Sequence, residues 1–240
     1  ISPSADMEKV LGEAKVFAPR RVIPLGVDPQ KFVPAAHRSQ AKEKLGFSPL
    51  DIVIGYTGRL AREKNVGFLL QLFETLQAKY PSLKLLLVGS GVKDFQTRIE
   101  SNSAIRAVGQ MDDVVPYLQA MDLFCMPSET ETSSLSSMEA MATGLPVVAN
   151  AVGCLREYLF HSHNGFLAVT GDQADYQLHV ERLIKDRALR QAMGAQARET
   201  MLTRFSWDQT AEAMGDLFEE ILGSRSVQYG KSLTSRHFVR

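Results

Sequence analysis

The chain has 240 residues, 45% of them apolar and 22% charged, and its 27 basic and 27 acidic side chains give a formal net charge of zero. That is apolar material for one large domain or one and a half ordinary ones, with no disorder signature and no basic footprint for nucleic acid. Two cysteines, Cys125 and Cys154, are too few for a disulfide framework and fit reduced thiols in the cytosol.

The chain starts at Ile1 with no methionine and no signal peptide, which predicts a fragment of a longer protein. No apolar run reaches the ~18 residues of a membrane span. From Asp51 strand and helix alternate without a break. Ile52–Tyr56 reads as a buried strand, followed by a helix from Val66 to Lys79 with Phe68, Leu69, Leu72, Phe73 and Leu76 on its apolar face. Pro81 stops that helix and Leu83–Val88 is the next strand. A short helix over Asp94–Glu100 leads to the strand Ala104–Val108, then come a helix over Val114–Met121 and the strand Leu123–Met126. A hydroxyl-rich loop follows. It becomes a helix of strong formers, Met138–Ala142, which Gly144 and Pro146 end before the strand Pro146–Ala149. Three helices close the pattern, over Gln173–Lys185, Ala188–Arg204 and Trp207–Leu222, and residues 223–240 read as a frayed, flexible tail. Apolar strands between amphipathic helices predict an α/β fold, a doubly wound, Rossmann-like parallel sheet covered on both faces.

Two acids eight positions apart, Glu131 and Glu139, stand on that loop and inside the helix after it. Open α/β sheets place ligands outside the carboxyl ends of their strands, and a helix start there is an anion site. Carboxylates accept from hydroxyls, so the pairing suits a ligand with both hydroxyls and phosphate, such as a sugar nucleotide. Ser136-Ser-Met-Glu139 also fits a capping box, in which Glu139 reaches back to a free amide. Arg59 and Lys64 follow the first strand, with Gly55 and Gly58 letting the backbone turn closely; they read as phosphate ligands or as an exposed basic turn.

Glu131-x7-Glu139 followed by Ala-Met-Ala-x-Gly-x-Pro-Val-Val resembles the donor-binding signature of the family 4 retaining glycosyltransferases of GT-B fold. Val22-Ile-Pro-Leu-Gly-Val-Asp28, Gly58-Arg-Leu-Ala-Arg-Glu-Lys-Asn65, Leu86-Leu-Val-Gly-Ser-Gly91, Gly153-Cys-Leu-Arg-Glu157 and Asn164-Gly-Phe-Leu167 are similar to further landmarks of that family, in its order. The resemblance spans roughly residues 20–222.

It implies the carboxy-terminal half of a GT-B enzyme. Residues 1–28 would be a remnant of the amino-terminal acceptor domain with its linker, and 29–222 the nucleotide-sugar domain. The donor would be a UDP- or GDP-linked sugar, with no other cofactor and no metal. The acceptor would be a glycan or lipid-linked molecule, held by the missing amino-terminal domain. Transfer would serve polysaccharide, lipopolysaccharide or glycolipid synthesis, in the cytoplasm or peripherally at the inner face of the membrane. The fragment by itself would be inactive. Implied donor contacts are Gly58, Gly89, Gly109, Ser134, the amides of Leu135 and Ser136, and Arg59 and Lys64 on the diphosphate. Glu139 would meet the ribose and Glu131 the transferred sugar; Glu131 is preferred to Glu129 because it alone keeps the spacing to Glu139. Arg59, Lys64 and Glu131 are the implied catalytic set.

The loop Glu131-Thr-Ser-Ser-Leu135 departs from the family's commoner Glu-Gly-Phe-Gly-Leu, and Leu25 stands where asparagine is frequent. Gly89-Ser-Gly91 fails the dinucleotide fingerprint because Asp94 holds the third glycine's place; this predicts a tight turn and disfavours a nicotinamide enzyme. His161 and His163 lack a partner at metal-ligand spacing. Met138 and Met141 read as helix core. Trp207 reads as the anchor of the last helix, whose stripe of Trp207, Leu217, Phe218 and Ile221 suits either the missing domain or this domain's own sheet. The alternative function is a non-catalytic sugar-nucleotide subunit or sensor.

Overall fold

The computed structural model describes residues 1–233, with the backbone alone for residues 92, 94 and 224–233. Six strands, β1 (Ile52–Thr57), β2 (Leu83–Val88), β3 (Ile105–Ala107), β4 (Leu123–Met126), β5 (Val147–Asn150) and β6 (Gly165–Ala168), form one sheet in the order β3-β2-β1-β4-β5-β6. Every pairing is parallel. Parallel strands need long crossovers, and the crossover helices cover both faces of the sheet. The strands are accordingly buried on both sides: Val53, Ile54, Leu85, Leu86, Phe124, Val147 and Val148 have no exposed surface.

The helices are α1 (Ala5–Glu13), α2 (Arg38–Lys44), α3 (Val66–Gln77), α4 (Gln96–Glu100), α5 (Val115–Ala120), α6 (Leu135–Ala142), α7 (Leu155–Tyr158), α8 (Gln173–Lys185), α9 (Arg187–Arg204) and α10 (Trp207–Leu233). Periodicity located the longer ones well. Leu69, Leu72, Phe73 and Leu76 of α3 are buried as their 3.6-residue spacing requires. Asp172 and Asp186 open α8 and α9 by accepting from the amides of Asp175 and Leu189, both at 2.9 Å.

Several elements differ from the sequence reading. The strand β6 has four residues and begins at Gly165, where a Cβ would lie 2.4 Å from the Val147 carbonyl oxygen; close approach to β5, not propensity, makes it a strand. The helices α2 and α7 have seven and four residues, too short to show a period. Gly55 turns nothing. It sits within β1, and a Cβ there would lie 1.9 Å from Met121 Sδ, so its role is to make room for that side chain.

The last helix does not stop at Leu222 but runs to Leu233, so the expected tail is helical over its first part and its remainder, 234–240, lies outside the described residues. Nor is Trp207 an anchor: it is 58% exposed, and Phe218, Ile221 and Leu222 on the same helix are exposed too. Hydrogen bonds to the segment before Asp28 hold this helix instead. Trp207 N–H donates to the Val27 carbonyl at 3.0 Å, and Thr210 Oγ1 donates to the Pro24 carbonyl at 2.9 Å. Residues 22–27 thereby run between the opening segment, where Ser2 bridges Val22, and the start of α10, where Val27 bridges Ser206.

At the amino ends of the strands, Lys42 Nζ meets Asp122 Oδ2 at 2.6 Å with both side chains nearly buried. The same oxygen accepts the Val53 amide at 2.8 Å, and Lys42 also donates to the Asp51 carbonyl at 2.6 Å. This clamp ties α2 to β1 and β4. Asp122→Ala leaves a buried ammonium uncompensated and is expected to cost about 3–5 kcal/mol in urea denaturation. A loss under about 1 kcal/mol, the scale of a surface pair, would show that the clamp carries no such weight.

Candidate functional site

The chain leaves β1 for β2 on one side and β4 for β5 on the other, so the loops after β1 and β4 diverge and leave a crevice at the carboxyl ends of the strands. Glycines form one rim. Gly58 (φ +142°) and Gly89 (φ +146°) adopt backbone closed to other residues, and a Cβ on Gly89 would lie 1.8 Å from the Gly58 carbonyl oxygen. Gly58 N–H donates to the Val88 carbonyl at 2.9 Å and Gly89 N–H to the Gly109 carbonyl at 2.7 Å, which aligns the ends of the first three strands. Gly89-Ser-Gly91 is the tight turn its sequence predicts, leading into a 3-10 turn at Val92–Phe95. Beside it a cavity of about 810 Å³ is lined by Leu60, Gly91, Lys93, Gln96, Ile99 and Ala107, a mixed set with no motif to announce it.

Lys64 and Glu131 come together across the crevice. Lys64 ends a one-turn 3-10 segment, Arg62–Lys64, and its Nζ donates to Glu131 Oε1 at 2.7 Å. Glu131 is 6% exposed at its side chain and Lys64 24%. The loop is pressed into place from behind, since a Cβ on Gly153 would lie 1.9 Å from the Glu131 carbonyl oxygen. Glu129 is exposed. Of the two loop acids, the one chosen by spacing is the one turned inward.

Arg59 does not join them. Its side chain is 70% exposed and pairs with Glu63 at 3.0 Å, the arrangement of a solvated basic turn. Two tyrosines that the sequence reading did not single out border the pair. Tyr56 donates to the Arg59 carbonyl at 2.8 Å, and burial, then Glu131 and Glu63, push its hydroxyl pKa well above the usual range. Tyr158 is buried and donates to the Ser134 carbonyl at 3.4 Å; burial chiefly raises its pKa, with Cys154 and Glu131 adding to the shift. A tyrosine ending an aliphatic strand was the available signal for Tyr56, because a buried hydroxyl needs a partner.

The helix α6 begins three residues before Met138. Ser134 is its N-cap in left-handed backbone (φ +47°), with its Oγ 2.9 Å from Ser137 Oγ. The amides of Leu135 and Ser136, opening the first turn, have no intrahelical acceptor and stand as free donors at the helix start. This start rules out the capping box: the third helical residue is Ser137, and Glu139 lies fifth. Its partly buried carboxyl has no hydrogen-bond partner among the described residues, and burial pushes its pKa up to about 7 against the pull of Lys31. Met138 and Met141 are core, as their spacing predicts.

Burial pushes both thiols, Cys125 and Cys154, up to about 12, so neither is a nucleophile near neutral pH. His161 Nδ1 lies 3.1 Å from the Leu167 carbonyl oxygen. Among the described residues, no group of three His, Cys, Asp or Glu side chains is placed to hold a metal ion, and no helix is long and apolar enough to cross a membrane. The crevice offers helix amides, a lysine and close-lying glycine backbone to phosphates, and half-buried carboxylates to hydroxyls.

Residues 37–200 match the family model described as glycosyl transferases group 1. The chain is 31% identical over 217 residues to a D-inositol 3-phosphate glycosyltransferase of Corynebacterium jeikeium, covering 84% of this chain and 52% of the relative. Its fold superposes on a sucrose-phosphate synthase from Thermosynechococcus elongatus with a TM-score of 0.82 at 28% identity, over 93% of this chain and 58% of that one. It also superposes on the C-terminal domain of a glycosyl transferase group 1 family protein from Francisella tularensis with a TM-score of 0.68; at 21% identity that likeness is one of fold, over 75% of this chain and 99% of that domain. The chain thus spans about half the length of the curated relatives it matches.

Glu139 generates a pH prediction. Its folded pKa of about 7 lies above the ordinary 4.5, so the stability held by the protonated form is present below about 4.5 and is lost as the pH rises through 7. Between pH 5 and 8 the native chain should lose about 1–3 kcal/mol more than Glu139→Gln, whose neutral amide does not titrate. Urea denaturation at the two pH values measures this; parallel losses in both proteins would refute it.

Proposed function

The chain belongs to the glycosyl transferases group 1 family, and on that premise we propose that it is the donor-binding, carboxy-terminal half of a family 4 retaining glycosyltransferase. The observation that carries the proposal is the Lys64–Glu131 pair at 2.7 Å, spanning the crevice beside the glycine rim and the start of α6. A cation and a carboxylate held together there suit a ligand with a phosphate on one side and sugar hydroxyls on the other.

In this reading a UDP- or GDP-linked sugar lays its base against the cavity at Gly91 and its ribose on Glu139. The diphosphate takes the amides of Leu135 and Ser136 at the helix start. Lys64 moves from Glu131 to the arriving phosphate, and Arg59, exposed at the surface, swings in from Glu63 to join it. Glu131, released, accepts from the hydroxyls of the transferred sugar. The bond from the anomeric carbon to the diphosphate breaks as the acceptor oxygen attacks from the same face, and the departing phosphate oxygen takes the acceptor's proton. Lys64, Arg59 and the helix amides stabilise the charge that builds on the leaving group. The two glutamates are binding and stabilising groups here, not the acid and base of a glycosidase. No metal takes part.

The acceptor, a glycan or lipid-linked molecule, would be held by an amino-terminal domain, for which residues 1–28 supply the end and the linker. The exposed stripe of Trp207, Phe218 and Ile221 on α10 is the surface offered to that domain. Transfer would serve polysaccharide, lipopolysaccharide or glycolipid synthesis, in the cytoplasm or at the inner face of the membrane.

Calorimetry with UDP and GDP, against uridine and guanosine and without divalent metal, tests the donor site. Lys64→Ala should weaken the matching diphosphate about tenfold or more, the worth of one charge-assisted hydrogen bond, and leave the nucleoside unchanged. Equal losses for both ligands, or binding that requires magnesium, would overturn the reading.

In a protein extended by the amino-terminal domain, Glu131→Gln should cut turnover with nucleotide affinity nearly intact, while Glu139→Gln should chiefly weaken nucleotide affinity. Steady-state rates and nucleotide titrations measure the two effects. Greater damage from Glu129→Gln than from Glu131→Gln would show the sugar contact to be misassigned.

A further inference from the structure

A second cavity, of about 870 Å³, lies at the opposite end of the sheet, where β1 and β4 begin. Its walls are α2, the segment before it, and α9. Five cations line it, Arg38, Lys42, Arg187, Arg190 and Arg198, against three acids, Asp51, Asp122 and Glu199. The cations are unequally committed. Lys42 holds Asp122 at 2.6 Å, and Arg198 donates to the carbonyls of Phe32, Ala142 and Pro29. Asp51 is occupied by the Ser48 amide at 2.8 Å.

That leaves three guanidiniums without a close carboxylate. Arg38 stands 3.9 Å from Asp122, an oxygen pair already shared with Lys42, and its Nε–H is buried with no acceptor among the described residues. Arg190 Nη1 donates to the carbonyls of Leu183 and Ile184 at the end of α8, which leaves Nη2 uncommitted, and it forms no salt bridge among the described residues. Arg187 is exposed beside it. Burial holds the pKa of Arg38 below its ordinary value against the pull of Asp122, and Arg190 depresses it further; burial also lowers that of Arg190, against Asp122 and Asp186, with Arg187 adding to the drop. Like charges facing one hollow, with a buried donor unpaired, are not explained by solvation of a basic surface, since buried donors are normally satisfied.

We propose that this cavity is a second binding site, for a small solute bearing a phosphate or diphosphate group, gripped between Arg38 of α2 and Arg187 and Arg190 of α9. Guanidinium forks match phosphate oxygens two at a time, and the volume lies within the range of small-molecule sites. The bound group accepts from the guanidiniums that line the cavity and relieves the repulsion among the three arginines. It also ties α2 to α9, so occupancy stabilises the fold. The site is separate from the crevice at the carboxyl ends of the strands and does not depend on the donor reading.

The test is a titration of inorganic pyrophosphate into the chain at fixed ionic strength, followed by backbone amide NMR. Amides at Arg38, Arg187 and Arg190 should shift at millimolar pyrophosphate, as a set distinct from any shifts at Gly58–Lys64. Arg187→Gln alters an exposed side chain and should weaken the first set about tenfold without moving the second. Arg38→Gln should do the same, and an otherwise unchanged spectrum shows that each variant is folded. No shift at the cavity, or shifts of equal midpoint in native chain and Arg187→Gln, would overturn the proposal.

Discussion

Parallel strands cannot be joined by a tight turn, and this constraint orders everything else in the molecule. Each crossover must carry a helix over one face, and the sheet grows in two directions from β1 and β4. Its faces are then fully buried, which leaves the strand ends as the place for charge. The crevice between the diverging loops is a consequence of strand order, before any side chain is considered.

The two ends use charge differently. At the amino ends, Lys42 and Asp122 are nearly excluded from solvent, and the carboxylate also accepts the Val53 amide. Such a pair has its hydrogen bonds satisfied and holds α2 to the sheet. At the carboxyl ends, Lys64 keeps 24% of its side chain exposed while Glu131 is buried. A lysine on a one-turn 3-10 segment, with a long flexible stem, is less tightly fixed than one inside a packed pair. The first arrangement is closed to solvent and the second is open to it on the lysine side.

The loop between the two glutamates enters its helix without the glycines of the commoner family pattern. Ser134 takes the left-handed backbone that glycine adopts without strain, at φ +47°. Its hydroxyl shares a hydrogen bond with Ser137, and its carbonyl accepts from Tyr158 and from the Ser137 amide at 3.0 Å. Local hydrogen bonding by a short polar side chain offsets the conformational cost. The amides of the helix start are left free without a glycine in the loop.

Local order was legible in the sequence. Buried strands, the apolar face of α3 and the spans of α8 and α9 follow from periodicity, because adjacent residues decide which face turns inward. The spacing of Glu131 to Glu139 also singled out the inward acid over Glu129. What the sequence could not decide depends on partners distant in the chain. Lys42 meets Asp122, and Glu131 meets Lys64, only once the sheet brings them together. Gly55 is fixed by Met121 and Gly165 by Val147, each a neighbour that composition does not reveal. The same reason explains Glu139. A helix begun at Ser134 instead of Ser136 moves it out of reach of the first amides, and burial against its neighbours then sets its protonation.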